Sequence, residues 1–162
     1  MQQSKRITTR FGLFILLFLA AACWTVNASA QSGYKTAAGL FIDLGNGGTY
    51  VGPSVKHFFD DNDAVQGMVL FGNHVTAIGV EYSYNKLIPN GGGFIWNIGA
   101  GPQVAFSSGT TAFLLRPQAG VEYKVPGAPI DLGFDWRPWW QLTQGSSFEA
   151  GRFGLRFDYV IK

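Results

Sequence analysis

The chain has one cysteine in 162 residues, and that residue, Cys23, lies in an apolar N-terminal run. Two histidines, His57 and His74, are its only imidazoles. Charge is scarce too: Asp, Glu, Lys and Arg make up 14% of residues, against about 25% in a typical soluble domain. After residue 31 no stretch has the apolar spacing of an amphipathic helix. Each scarcity removes a class. A lone cysteine gives no disulfide framework and no cysteine-ligated metal centre. So little charge makes a water-facing surface hard to build. Without helices there is no room for crossover connections, so parallel sheets are excluded.

Residues 1–30 stand apart. "MQQSKRITTR" is basic, "FGLFILLFLAAACWTV" is apolar, and "NASA" ends in a small-x-small triplet before Gln31. That order predicts a secretory signal peptide cleaved after Ala30, leaving residues 31–162 as one domain. The apolar run is about sixteen residues without a basic stop-transfer flank, short for a membrane anchor. A lipoprotein site at Cys23 fits less well, because Ala20 stands where a larger aliphatic residue is usual. Cleavage would remove Lys5, Arg6 and Arg10, taking the twelve basic residues to nine against ten acidic ones, a net charge of −1. No basic surface for nucleic acid then remains.

What the mature chain does have is alternation. Period-two runs at roughly 34–45, 49–59, 64–73, 75–87, 94–107, 112–125, 130–143 and 148–161 are separated by turn clusters such as "NGG", "DDND", "GNH", "IPNGGG" and "PGAP". They predict eight antiparallel strands joined by hairpins. In "DLGFDWRPWWQL" one face takes Leu132, Phe134, Trp136, Pro138, Trp140 and Leu142, and the other Asp131, Gly133, Asp135, Arg137, Trp139 and Gln141. The other runs sort in the same way. Only "AVQGMVLFG", in 64–73, is ambiguous in phase.

Alternation does not say which face is inside. A soluble lipocalin-like barrel would turn the apolar face inward. Volume decides against it, since about fifteen aromatic side chains of ~150–250 Å² each cannot fit the narrow interior of an eight-stranded barrel. Glycines at 39, 52, 79, 99, 101, 120, 133 and 154 all fall on the polar face, where they make room for long side chains. The apolar face must look outward, into lipid. The lumen then receives Asp43, Glu81, Glu122, Asp131, Asp135 and Asp158, with Lys56, Arg116, Lys124, Arg137, Arg152 and Arg156. Six against six predicts a paired polar filling rather than a catalytic centre. With both chain ends in the periplasm, Tyr50, Phe71, Phe106, Phe113, Trp139, Trp140 and Phe148 gather toward the outer rim, as an interfacial girdle would.

The stretches "VGPSVKHFF" (51–59), "LGFDWRPWW" (132–140) and "GRFGLRFDYVIK" (151–162) resemble the small eight-stranded outer-membrane barrels of the OmpX and OmpA-transmembrane type. They are closer still to the outer-membrane β-barrel domains common in Bacteroidota. The resemblance covers essentially all of 31–162. It implies an all-β, up-and-down transmembrane barrel in the outer membrane of a Gram-negative bacterium. It also implies outer-membrane lipids and lipopolysaccharide as surroundings, the barrel assembly machinery as partner, a monomer, and no cofactor. Two departures stand out. The chain ends in Lys162 where the family's assembly signal usually ends in an aromatic, so Phe157, Tyr159 and Ile161 must supply it. The outer loops are also too short for OmpX-like adhesion.

Lipid A deacylases and palmitoyltransferases of this architecture use Ser/His groups near the outer rim. Here His57 falls at the periplasmic end, and His74 has only Ser107 or Ser108 within plausible reach, so an enzyme is not expected. Proline is the more specific oddity. Pro53, Pro102, Pro117 and Pro138 all fall in strands on the apolar phase, and each removes a ladder donor that lipid cannot replace. They predict either bulges near the rim or, at Pro102, Pro117 and Pro138, a weakened seam for lateral entry. Proline-flanked openings of this kind resemble those of the palmitoyltransferase barrel.

Overall fold

The computed structural model describes residues 35–143 and 145–161; the segment expected to be a signal peptide lies outside them. The strands are β1 (Thr36–Gly45), β2 (Tyr50–Phe58), β3 (Asp63–Gly72), β4 (Val75–Leu87), β5 (Phe94–Ser107), β6 (Thr110–Lys124), β7 (Ile130–Trp136), β8 (Trp139–Gln141), β9 (Ser147–Glu149) and β10 (Arg152–Ile161). All pairings are antiparallel. Consecutive strands pair through β5–β6, β6 takes both β7 and β8, and β10 pairs with β1, so the sheet closes. β7 and β8 lie along one stave of the barrel, β9 and β10 along another, which gives eight staves. The turns Asn73-His74 and Ser108-Gly109 join strands in two residues. His74 (φ 57) and Gly109 (φ 78), the second residue of each turn, adopt the left-handed conformation.

The register fixes the dimensions. The path Val121↔Phe134↔Leu155↔Ile42↔Val51↔Phe71↔Thr76↔Phe106↔Thr111 circles the barrel and returns to β6 ten residues from its start. With a rise of about 3.3 Å per residue and about 4.8 Å between strands, that stagger tilts the staves by roughly 40°. The interior is narrow, and long side chains from opposite walls meet across it.

The two faces are sorted by chemistry. Among the described residues the buried set is dominated by Asp, Glu, Lys, Arg, Asn, Gln and Ser, while twenty-six large apolar side chains are exposed, among them Ile78, Ile98, Phe134, Trp136 and Phe157. The phase left open in residues 64–73 resolves with Ala64, Gln66, Met68 and Leu70 inward and Val65 and Phe71 outward. Met68 and Leu70 join Phe41 and Ala77 in a small apolar cluster inside the wall. The glycines leave room as the polar face demands. A Cβ on Gly154 would lie 2.6 Å from Phe41 Cζ and 2.7 Å from Arg137 Cδ, and one on Gly133 would lie 2.6 Å from Arg156 Nε.

Two runs that read as continuous strands, 130–143 and 148–161, are each broken near the end distant from the termini. β6 pairs with β7 as far as Ala119↔Trp136 and resumes with β8 at Leu115↔Trp140. That register sets Pro117 opposite Pro138. Neither has an N–H, so the two bonds this pair would exchange are missing by composition. On the other side, Arg137 N–H donates to Arg152 O (2.9 Å) and Trp139 pairs with Glu149, so Ala150 and Gly151 together oppose Pro138. This is a β-bulge. Pro138, between the exposed Trp136 and Trp140 of its phase, is fully buried. Trp139 faces the mouth of the lumen, as its phase beside Arg137 required, and Tyr50 stands there with it against Arg152, so neither joins an outer girdle.

Candidate functional site in the barrel lumen

The lumen holds three linked groups of charge. At the end distant from the termini, Asp43 of β1 lies between two arginines. Arg116 Nη1, reaching across from β6, donates to its Oδ2 at 2.9 Å, and Arg152 of the adjacent β10 donates Nε to its Oδ1 at 3.0 Å. Arg116 also donates to Gln103 Oε1 (2.7 Å) and to the Arg137 carbonyl (3.0 Å). Arg152 donates to the Asn46 and Gly48 carbonyls of the β1–β2 turn, closing that turn over the lumen. The Trp139 ring covers the mouth, 4.4 Å from the Arg152 guanidinium carbon and 5.8 Å from that of Arg116.

Next, Arg137 pairs with Glu81 of β4, and its guanidinium stacks 4.5 Å from the Phe41 ring. Toward the termini, Glu122 Oε1 gathers Lys56 of β2, Arg156 Nη2 of β10 at 2.6 Å, and Asn97 Nδ2 at 3.3 Å. Arg156 also donates to Gln66 Oε1 (2.9 Å) and has Asp135 Oδ2 at 3.7 Å. Lys56 donates to Asn85 Oδ1 (2.7 Å). Ser54 Oγ donates to Asp158 at 3.5 Å. Lys124 and Asp131 face each other across β6–β7.

Of the twelve charged residues assigned to the lumen by phase, eleven are buried and Lys124 is half-buried. Their distribution is uneven along the axis. Asp43 with Arg116 and Arg152 carries a net +1, and Glu81 with Arg137 is neutral. The remaining four acids, Glu122, Asp131, Asp135 and Asp158, meet three bases, Lys56, Lys124 and Arg156. The neutral polar partners Gln66, Asn85 and Ser54 carry no clear signal in the sequence. Gln66 was hidden by the ambiguous phase of its run, and the other two have short polar side chains that alternation places but does not pair.

Above the Asp43 group the wall is hollow. A cavity of about 170 Å³ is lined by residues of β4, β5, β6 and β8 together with Tyr50, and Arg116 and Gln103 are its polar lining nearest the charges. The hollow has a local cause: Ala77, Ala105 and Ala112 are register partners on three neighbouring strands, so three adjacent positions carry only a methyl group.

At the proline positions the results differ by seam. β5–β6 is paired without interruption past Pro102 and Pro117, through Ala100↔Pro117 and Pro102↔Leu115. The β4–β5 register, however, skips Val80↔Pro102 and Glu81↔Gly101, and the β2–β3 register skips Gly52↔Leu70 and Pro53↔Val69. β6–β7/β8 is interrupted at Pro117 and Pro138. On the other side of Pro138, at the bulge rather than at this interruption, two freed groups find side-chain partners. The Trp136 indole donates to the Ala150 carbonyl (2.7 Å), and Gly151 N–H donates to Glu149 Oε1 (2.8 Å).

The histidines lie elsewhere. His57 is exposed and shares a 2.9 Å hydrogen bond with the Thr36 hydroxyl. His74 sits in its exposed turn beside Val75, which pairs with Ser107. Among the described residues no group of three or more His, Cys, Asp or Glu is arranged to hold a metal.

The N-terminal β-barrel domain of Pseudomonas aeruginosa OprF matches over 100% of its own length and 80% of this chain, with a TM-score of 0.62 at 15% identity. Neisserial surface protein A matches 78% of this chain and 94% of its own, with a TM-score of 0.47 at 17% identity. The OprF likeness is one of fold: a small closed β-barrel. No protein-family model and no curated protein matches the sequence.

Proposed function

We propose that the mature chain is a small outer-membrane barrel of a Gram-negative envelope, closed to solutes by its charged lumen and serving envelope structure rather than catalysis. Its greasy exterior supports insertion, because twenty-six exposed large apolar side chains would be costly in water. A ten-residue strand at a tilt of roughly 40° rises about 25 Å, the height of the apolar band in such barrels. The first thirty residues would direct export and be removed, and the barrel assembly machinery would insert the remainder as a monomer among lipid and lipopolysaccharide.

The observation that carries the closed lumen is that its ion pairs cross the barrel. Lys56 of β2 meets Glu122 of β6, Arg137 of β7 meets Glu81 of β4, and Arg116 of β6 meets Asp43 of β1. A through-going water column has to displace bonds of this kind. Recording in planar bilayers tests it. The purified mature barrel is expected to give no reproducible unitary conductance, and discrete steps would overturn the reading.

A second reading rests on the interrupted ladder at Pro117 and Pro138, which would allow lateral access for lipids or small hydrophobic molecules. The buried Pro138 ring argues for a sealed resting state. Hydrogen exchange in lipid nanodiscs separates the two. Leu115 and Ala119 amides exchanging much faster than those of β3–β4 would favour a gate; equal protection would end it.

A further inference from the structure

We propose that the cavity above Asp43 is a binding site for a small amphipathic anion, of benzene-sized apolar body and single carboxylate. The inference rests on the closed lumen, since Arg116, which lines the cavity, is held behind it by Asp43, and Asp43 is shared with Arg152. Size is the first argument. The cavity measures about 170 Å³, and an apolar cavity of roughly 150 Å³ holds one benzene molecule. Its wall suits such a body: Ala77, Ala105, Ala112 and Leu114 on one side, and the Trp139 ring on another.

Charge is the second. Arg116, the cavity's one charged lining residue, shares Asp43 with Arg152, so two arginines stand against one carboxylate and an anion in the cavity completes the balance. Arg116 lines the cavity, is 2% exposed, and its Nε–H is buried with no protein acceptor. A buried guanidinium N–H without an acceptor is costly, and a ligand carboxylate would supply one. Access is the third: Ser107 and Thr110, at the upper edge of the cavity, are exposed.

The test uses the mature barrel in phosphatidylcholine nanodiscs, with methyl resonances of Ala77, Ala105, Ala112 and Leu114 followed during titration with benzoate, benzyl alcohol or benzylamine. Saturable shifts with benzoate are expected, with affinity about tenfold or more above benzyl alcohol, the factor of one charge-assisted hydrogen bond. Arg116→Met should bring benzoate down to the benzyl alcohol level. Ala112→Phe, which fills the cavity and leaves the ion pairs intact, should abolish the shifts, and it carries the test alone if Arg116→Met does not fold. No saturable shift at millimolar benzoate, equal shifts with benzylamine, or benzoate binding unaffected by Ala112→Phe would each overturn the proposal. Conductance in bilayers would instead overturn the closed lumen, and it is read on a different instrument.

Discussion

Glu122→Ala removes the anion on which the lower charge group converges. The carboxylate is 1% exposed, and one oxygen accepts from Lys56, Arg156 and Asn97. Removing one partner of a buried ion pair costs about 3–5 kcal/mol, because the remaining charge is left uncompensated. Two cations are stranded here, but each keeps a partner: Lys56 has Asn85 at 2.7 Å, and Arg156 has Gln66 at 2.9 Å with Asp135 at 3.7 Å. The expected loss is therefore about 3 kcal/mol, the low end of that range. Lys56→Met leaves Glu122 with Arg156 and should cost less, about 1–3 kcal/mol. The double variant Lys56→Met/Glu122→Leu replaces a buried pair by apolar side chains. It should be more stable than the sum of the singles implies, with a coupling of about 0.5–3 kcal/mol. Reversible urea unfolding in lipid vesicles, read by tryptophan fluorescence and by heat-modifiable gel migration, gives all three values. A Glu122→Ala loss below about 1 kcal/mol, the size of an exposed pair, would refute the reasoning and indicate a water-filled lumen.

Other perturbations probe packing and the seam. Gly154→Ala places a methyl 2.6 Å from Phe41 Cζ and 2.7 Å from Arg137 Cδ, and should destabilise by about 1–3 kcal/mol. Gly67→Ala, with nothing within 4 Å, should be neutral or gain about 0.4–1 kcal/mol. Equal behaviour of the two in urea would show that the lumen is not tightly packed. Trp136→Phe removes the indole donor to Ala150. It should cost about 1 kcal/mol and raise hydrogen exchange around the bulge at Gly151; unchanged exchange there would remove the indole from the seal.

The strands and the chemistry of their faces were legible because side chains alternate with period two, and a one-residue slip would have turned aspartates and arginines outward. Asp131, Asp135 and Arg137 are buried, as their phase required, while Leu132, Phe134 and Trp136 are exposed. Which charges meet was not legible. Phase assigns Lys56 and Glu122 to one interior, but their contact depends on the ten-residue stagger around the barrel, a property of all eight pairings together. Pro138 shows a different limit. The extra residue in Ala150-Gly151 shifts the register against the neighbouring stave by one, and the Pro138 ring is buried beside it. Pro138 marks the position of the bulge, but the extra residue lies on the neighbouring stave, in Ala150-Gly151. Residues 64–73 were ambiguous for a third reason: Met68 and Leu70 are apolar residues in a mainly polar interior, packed on Phe41 and Ala77.

Quenching by brominated lipid measures the direction of the apolar face most directly. Variants retaining one tryptophan each, Trp136 from the exposed face or Trp139 from the mouth of the lumen, would be folded into vesicles containing brominated phosphatidylcholine. The expected result is strong quenching of Trp136 and little of Trp139. Equal emission from Trp136 with and without bromine, in a chain that stays folded, would mean that the greasy side of the barrel does not touch lipid.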